Sequence, residues 1–115
     1  MDHGAAPAVQ AAAGNESTTA PPMEHGGKPL DAVQQANMDA TNEMHAPMMA
    51  AAIIRDPDLA SNCGMIAHHR GAIATAKVKI AMGKDAASLA LAEAIITAQE
   101  KEIADMTRWV EKYKP

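Results

Sequence analysis

Apolar positions recur with helical spacing from about residue 30 onward, and they divide the chain into three long predicted helices. The last helix, which begins after the capping residue Asp85, has the most regular pattern. Its apolar positions alternate in steps of three and four, as in the seam of a left-handed helical bundle. The seam consists of Leu89, Ala92, Ile96, Gln99, Ile103, Met106, Val110 and Tyr113. A buried Gln99 needs hydrogen-bond partners, for which histidines of the middle helix are the candidates.

The middle helix is predicted between a clear start and a clear stop. Asp56 is a capping residue, Pro57 suits the first helical position, and Gly83 follows Met82. The predicted buried arc comprises Leu59, Asn62, Met65, Ile66, His69, Ile73, Ala76 and Ile80. A separate stripe of small residues, where another helix could approach closely, comprises Gly64, Ala67 and Gly71.

The first helix is predicted from about Leu30 to Ile54, with Asp31 as its cap. Pro47 interrupts it, because proline removes the hydrogen bond to Glu43 and bends the helix. One broad face of this helix carries Gln34, Met38, Thr41, His45, Met48, Met49 and Ala52.

Short turns near Asp56 and Lys84 make consecutive helices antiparallel neighbours. The predicted fold is therefore an all-α antiparallel helical bundle over residues 29–115. Because a small Ala-rich domain buries little apolar surface, we expect a homodimer that completes the bundle. The stripe of small residues or a helix edge would form the contact, with Cys63 on the outer side.

Residues 1–28 lack apolar periodicity and are predicted to be a disordered tail. Two similar elements lie in it, Met1-Asp2-His3-Gly4 and Met23-Glu24-His25-Gly26. Because Met- and His-containing tracts bind copper without a fold, His3, Met23 and His25 are candidate ligands. A histidine at position three, as His3 is, can also bind Cu(II) together with the free amine and two amides. The alternative is that these elements recur by chance in a segment of low complexity.

Charge and motif content exclude several classes of function. The net charge of −4 argues against nucleic-acid binding, and no apolar run is long enough to span a membrane. The chain has no Glu-x-x-His pair, no Cys-x-x-Cys, no Gly-rich phosphate loop and no nucleophile beside a base, so we expect no enzymatic activity. The N-terminus has no signal-peptide pattern, so the chain is expected to be cytosolic or the mature part of an exported protein.

The candidate chemistry centres on Met65-Ile66-Ala67-His68-His69. On a helix Met65 and His69 share one face, and His68 lies to the side. Soft thioether sulfur selects Cu(I), and imidazole binds most late transition metals. Residue counting from the two turns collects Met44, His45, Met48, Met65, His68, His69, Gln99 and Met106 in one layer. The alternative is that these side chains only fill the core of a non-metal interaction or structural module.

These residues also carry a family resemblance. The relevant segments are Asp56-Pro57-Asp58, Gly64-Met65-Ile66-Ala67-His68-His69-Arg70-Gly71-Ala72-Ile73, Met82-Gly83-Lys84-Asp85, and residues 98–106 with Trp109. They resemble the domain-of-unknown-function family 305, small ferritin-like helical proteins of the bacterial cell envelope.

One branch of that family, the CopM-type copper-resistance proteins, binds copper in the periplasm. The resemblance implies a periplasmic copper chaperone or buffer, with Met65, His68 and His69 in the metal motif and Met44 to Met48 as its upstream part. It also implies copper efflux or chaperone proteins as partners. The chain departs from the family at Ala74-Thr75, where members often have Asp-Met.

Overall fold

Residues 28–114 are described by a computed structural model of the chain. Within this range four helices form: α1 (Ala32–Glu43), α2 (His45–Ala52), α3 (Pro57–Met82) and α4 (Ala86–Lys112). They belong to one unit that begins at Asp31. The predicted all-α class is confirmed for this part of the chain. The tail candidates His3, Met23 and His25 lie outside the described residues.

The three predicted helix starts are confirmed by hydrogen bonds from side chains to backbone. Asp31 and Gln34 form a reciprocal capping box, with distances of 2.8 and 2.9 Å. The Asp56 carboxylate accepts from two backbone N–H groups at the start of α3, and Asp85 accepts from the Ser88 N–H at 2.9 Å. Each contact satisfies donors that the first turn of a helix leaves without intrahelical partners.

The predicted first helix is broken rather than continuous. α1 ends at Glu43, and α2 begins at His45 after the single turn residue Met44. The break precedes Pro47 because the proline ring collides with the carbonyl four residues earlier, which belongs to Glu43. The interruption predicted at Pro47 therefore falls three residues earlier, at Met44.

Helix α3 is the element on which the others pack. α4 runs along one part of its surface, and α1 and α2 pack on another. Among the described helices, no Cα atom of α1 or α2 comes within 8 Å of α4. The buried apolar residues are all alanines, at positions 40, 51, 67, 76 and 92. Every predicted seam position of α4 is at least half-buried, so the seam is confirmed.

The stripe of small residues on α3 is covered by the same chain. Gly71 lies beneath the Met44 side chain, and a Cβ at Gly64 would stand 3.7 Å from the Cβ of Ala51. Ala67 is 4% exposed. The expectation that this stripe contacts a second copy is therefore wrong, because small residues admit the nearest helix, here α2. Cys63 is also not on the outer side: it is half-buried and lines a cavity with Met44.

A hydrogen bond joins the end of α4 to the start of α3. The Tyr113 hydroxyl donates to Asp56, and the Tyr113 ring stacks on Trp109 with centroids 4.8 Å apart. This hydrogen bond is the main cause that lowers the pKa of Asp56 below 3.8, and the Leu59 N–H lowers it further. The same bond raises the pKa of Tyr113 above 10.0.

We expect Tyr113→Phe to lower the melting temperature at neutral pH while the ring stays stacked on Trp109. A carboxyl with a lowered folded pKa stabilises the fold above its unfolded pKa, and this contribution disappears as pH falls through the folded value. The Tyr113 hydroxyl, whose folded pKa is raised, contributes stability below pH 10. This contribution is lost as the pH rises through the folded pKa. Thermal unfolding should therefore show the difference between parent and variant shrinking below about pH 4 and above pH 10. A constant difference would contradict this assignment.

Candidate metal site

Two of the predicted ligands, Met44 and His68, line the same cavity. It has a volume of about 610 Å³ and opens between α1 and α4 over the surface of α3. The Met44 sulfur lies over Gly71, so close that a Cβ at that position would overlap it. Most of the cavity wall is apolar, and Val33, Met82 and Ile95 line it while remaining well exposed. A thioether and an imidazole thus reach one solvent-connected space.

His69 lies on the neighbouring face of α3, against α4. The residue is 2% exposed, and its Nε2 lies 2.5 Å from Oε1 of Glu102. The two residues are 33 positions apart in sequence, so the contact joins two helices. Because a carboxylate only accepts, Nε2 carries the proton in this hydrogen bond. In the neutral ring, the lone pair of the other nitrogen then belongs to Nδ1.

Met65 and Met106 come to the same height on the pair α3 and α4. Three contacts fix the antiparallel register: His69 with Glu102, Lys79 with Ser88, and Asp56 with Tyr113. Met65 precedes His69 by one turn and Met106 follows Glu102 by one turn, so both lie on the same side of that contact. Both are half-buried. Two thioethers and an imidazole therefore lie within about one turn of each other along α3 and α4.

Helix α2 separates the upstream candidates into two stripes. Met48 is half-buried, as is Met44, and both lie on the stripe that includes the buried Ala51. His45 and Met49 are exposed, and Met49 retains 54% of its accessible surface. Residues four apart share a helix face, which accounts for both pairs. His45 therefore lies on the solvent side of α2, away from the interior stripe.

The predicted single layer of ligands is thus distributed over three neighbouring surfaces. Met44 and His68 share the large cavity, Met65, His69 and Met106 lie along α4, and His45 points outward. The His68 and His69 rings connect the first two groups, with centroids 6.2 Å apart and planes inclined by 64°.

Sequence reasoning missed Glu102. The antiparallel count placed His69 level with Gln99, nearly one turn from the observed partner. The available signal was an acidic residue directly beside the seam position Ile103, on the edge of the α3 and α4 interface. Gln99 is buried as predicted, at 8% exposure.

The donor types limit which metals the described residues could hold. Residues 28–114 contain no group of three or more His, Cys, Asp and Glu side chains arranged around one point. Zinc in structural sites, and calcium or magnesium, need such sets of thiolate, imidazole or oxygen ligands. The candidate donors within residues 28–114 are instead thioethers and imidazoles, and thioethers favour soft monovalent ions.

Within the same range, no helix combines the length and apolar character needed to cross a bilayer.

A family model described as "Domain of unknown function (DUF305)" matches residues 7–110. No curated protein matches the chain.

Proposed function

The chain belongs to the DUF305 family, and from that premise we propose that it binds Cu(I) as a copper chaperone or buffer. Its ligands would come from the thioether and imidazole side chains around α3. The observation that carries this proposal is the shared, solvent-connected cavity of Met44, in the turn between α1 and α2, and His68 on α3, which offer one soft and one borderline donor.

The neighbouring group on α4 supports the same chemistry. Metal-binding histidines generally donate their second ring N–H to a carboxylate, and His69 has this relation to Glu102. We infer that His69 would contribute its imidazole, with Met65 and Met106 as nearby thioethers. Met48 would add a donor from the inner stripe of α2. Ag(I), which shares the softness of Cu(I), would bind in its place.

We expect Met44→Leu and His68→Leu each to reduce Cu(I) affinity by about tenfold or more. Removing a group that hydrogen-bonds to a metal ligand lowers metal affinity by about 10- to 100-fold, and removing the ligand itself should cost at least as much. Leucine keeps the apolar volume near that of methionine, so α1 and α2 should remain packed on α3. Competition with a Cu(I) chelator measures the affinity, and circular dichroism checks the helix content.

Met38→Leu is the matched control for this test. Met38 is a half-buried methionine of α1 that does not line the shared cavity. The Met38→Leu variant should bind Cu(I) as tightly as the parent does. Parental affinity in both Met44→Leu and His68→Leu would instead mean that these side chains are core.

The second candidate function is a helical interaction module without metal. The open apolar cavity favours it, since Val33, Met82 and Ile95 leave a water-exposed apolar surface. A comparison of Cu(I) and Zn(II) affinity discriminates between the two functions, because an interaction module is not expected to bind Cu(I) more tightly than Zn(II).

The resemblance to the copper-binding branch leads us to propose a periplasmic location, with copper efflux or chaperone proteins as partners. Separation of periplasmic and cytoplasmic fractions from cells that express the native gene would test the location. Recovery in the cytoplasmic fraction alone would contradict it.

A further inference from the structure

The large cavity beside Met44 is a long trough along one face of α3. Its α3 wall begins at His68 and ends at Gly83, and the lining residues between them recur about once per turn, so they share one helix face. This stretch of helix is about 22 Å long. Helices α1 and α4 form the side walls, and no Cα atom of one comes within 8 Å of the other. The trough is therefore open to solvent along its length.

The shape of the trough suits an extended alkyl chain. A volume of about 610 Å³ over a length of about 22 Å corresponds to a channel about 5–6 Å across. An α-helix with its side chains is about 10–12 Å wide, so a helix would cover the trough rather than enter it. The lining residues Val33, Met82 and Ile95 still expose 45%, 40% and 44% of their surfaces. An alkyl chain between these side chains would remove apolar surface from water on both partners.

Lys79 gives this apolar trough a positive charge. Among the described residues that line the cavity, Lys79 is a permanent cation and none is acidic. Its Nζ donates to the Ser88 hydroxyl of α4, and none of the ion pairs between described residues includes it. An ammonium group has three N–H donors, so two of them remain for an anion.

The segment around Lys79 is positive although the whole chain is negative. The net charge of the chain is −4, yet residues 59–84 contain no Asp or Glu. The cations of this segment are Arg70, Lys77, Lys79 and Lys84. Asp85, the next acidic residue, accepts from a backbone N–H group at the start of α4. A local excess of one sign raises the concentration of ions of the other sign, so the Lys79 end of the trough favours an anionic head group.

We propose that the trough binds a fatty acid, with its carboxylate at Lys79 and its alkyl chain along α3 toward His68. This inference goes beyond copper binding and does not rest on it. Met44 lies over Gly71, about 12 Å along α3 from Lys79, so the head-group site is separate from the candidate metal ligands.

The test measures binding of dodecanoate to the metal-free full chain by isothermal titration calorimetry, below the concentration at which dodecanoate forms micelles. We expect saturable binding of one molecule per chain. In the series octanoate, decanoate and dodecanoate, affinity should rise by up to about fourfold for each added methylene, the effect of removing one methylene from water. Dodecanol, which has the same chain and no charge, should bind more weakly than dodecanoate.

Two pairs of variants test the two ends of the ligand. Lys79→Gln should weaken dodecanoate binding about three- to tenfold, between the effects of an exposed ion pair and a charge-assisted hydrogen bond, and leave dodecanol binding unchanged. Lys77→Gln is its control, because Lys77 is an exposed cation of α3 that does not line the cavity. Ile95→Gln should weaken binding of both ligands, and Leu91→Gln, at an exposed apolar position of α4 outside the cavity, should weaken neither.

No saturable binding of dodecanoate would overturn the fatty-acid site. Equal weakening by Lys79→Gln and Lys77→Gln, or parental affinity in Ile95→Gln, would also overturn it. Binding of the chain to phosphatidylglycerol vesicles without saturable binding of dodecanoate would make the trough a membrane contact instead. Saturable dodecanoate binding by a chain that fails the Cu(I) test would retain the fatty-acid site and overturn the proposed copper function.

Discussion

Glu102→Ala is expected to lower Cu(I) affinity by about 10- to 100-fold, the usual effect of removing the carboxylate that supports a metal-binding histidine. The variant should also lose about 1 kcal/mol of unfolding free energy, at the low end for a hydrogen bond to a buried partner. The low end applies because the Glu102 side chain is 47% exposed, so water already screens it. His69, at 2% exposure, would lose its hydrogen bond to Glu102 of α4.

Glu102→Gln separates the two contributions to this effect. The amide oxygen can still accept from Nε2 of His69, so ring orientation should be kept while the negative charge is removed. We expect most of the stability and much of the affinity to return in this variant. Chemical denaturation measures the stability, and competition with a Cu(I) chelator measures the affinity. If Glu102→Ala loses stability but keeps the parental Cu(I) affinity, His69 is a core residue and not a ligand.

The two glycines of the α3 stripe should respond in opposite directions to alanine. Gly64→Ala is expected to raise the unfolding free energy by up to about 1 kcal/mol, because alanine favours a helix over glycine. Its new Cβ would stand 3.7 Å from Ala51, an ordinary van der Waals contact. Cu(I) affinity should not change in this variant.

Gly71→Ala gains the same helix propensity, but its Cβ would overlap the Met44 sulfur and stand 3.2 Å from two other Met44 carbons. Overpacking of this kind costs about 1–3 kcal/mol, so a net loss of stability is expected. Because Met44 must move, Cu(I) affinity should also fall about tenfold, as for direct loss of this thioether. Thermal unfolding and Cu(I) competition of the two variants, measured together, test this. A Gly71→Ala protein as stable as Gly64→Ala would contradict the close packing of Met44.

Local sequence signals predicted most of the helical framework. Asp31, Asp56 and Asp85 each cap the helix that they precede, because a short carboxylate beside free N–H groups acts within a few residues. The α4 seam from Leu89 to Tyr113 was also predictable, since helical periodicity determines which side of a helix is apolar.

Which helix packs on each helix face was decided only in the tertiary structure. The sequence determined that Gly64, Ala67 and Gly71 would admit a helix, but it did not determine whether that helix came from this chain or a second copy. The turn at Met44 directs α2 onto the stripe, so that Met48 lies inward and His45 outward. Register has the same origin: a count from a turn carries an error of nearly one helical turn, enough to replace Glu102 by Gln99 as the partner of His69. Capping and periodicity act over a few residues, whereas the grouping of candidate ligands depends on how separate helices pack. The donor types could therefore be predicted from the sequence, and their grouping could not.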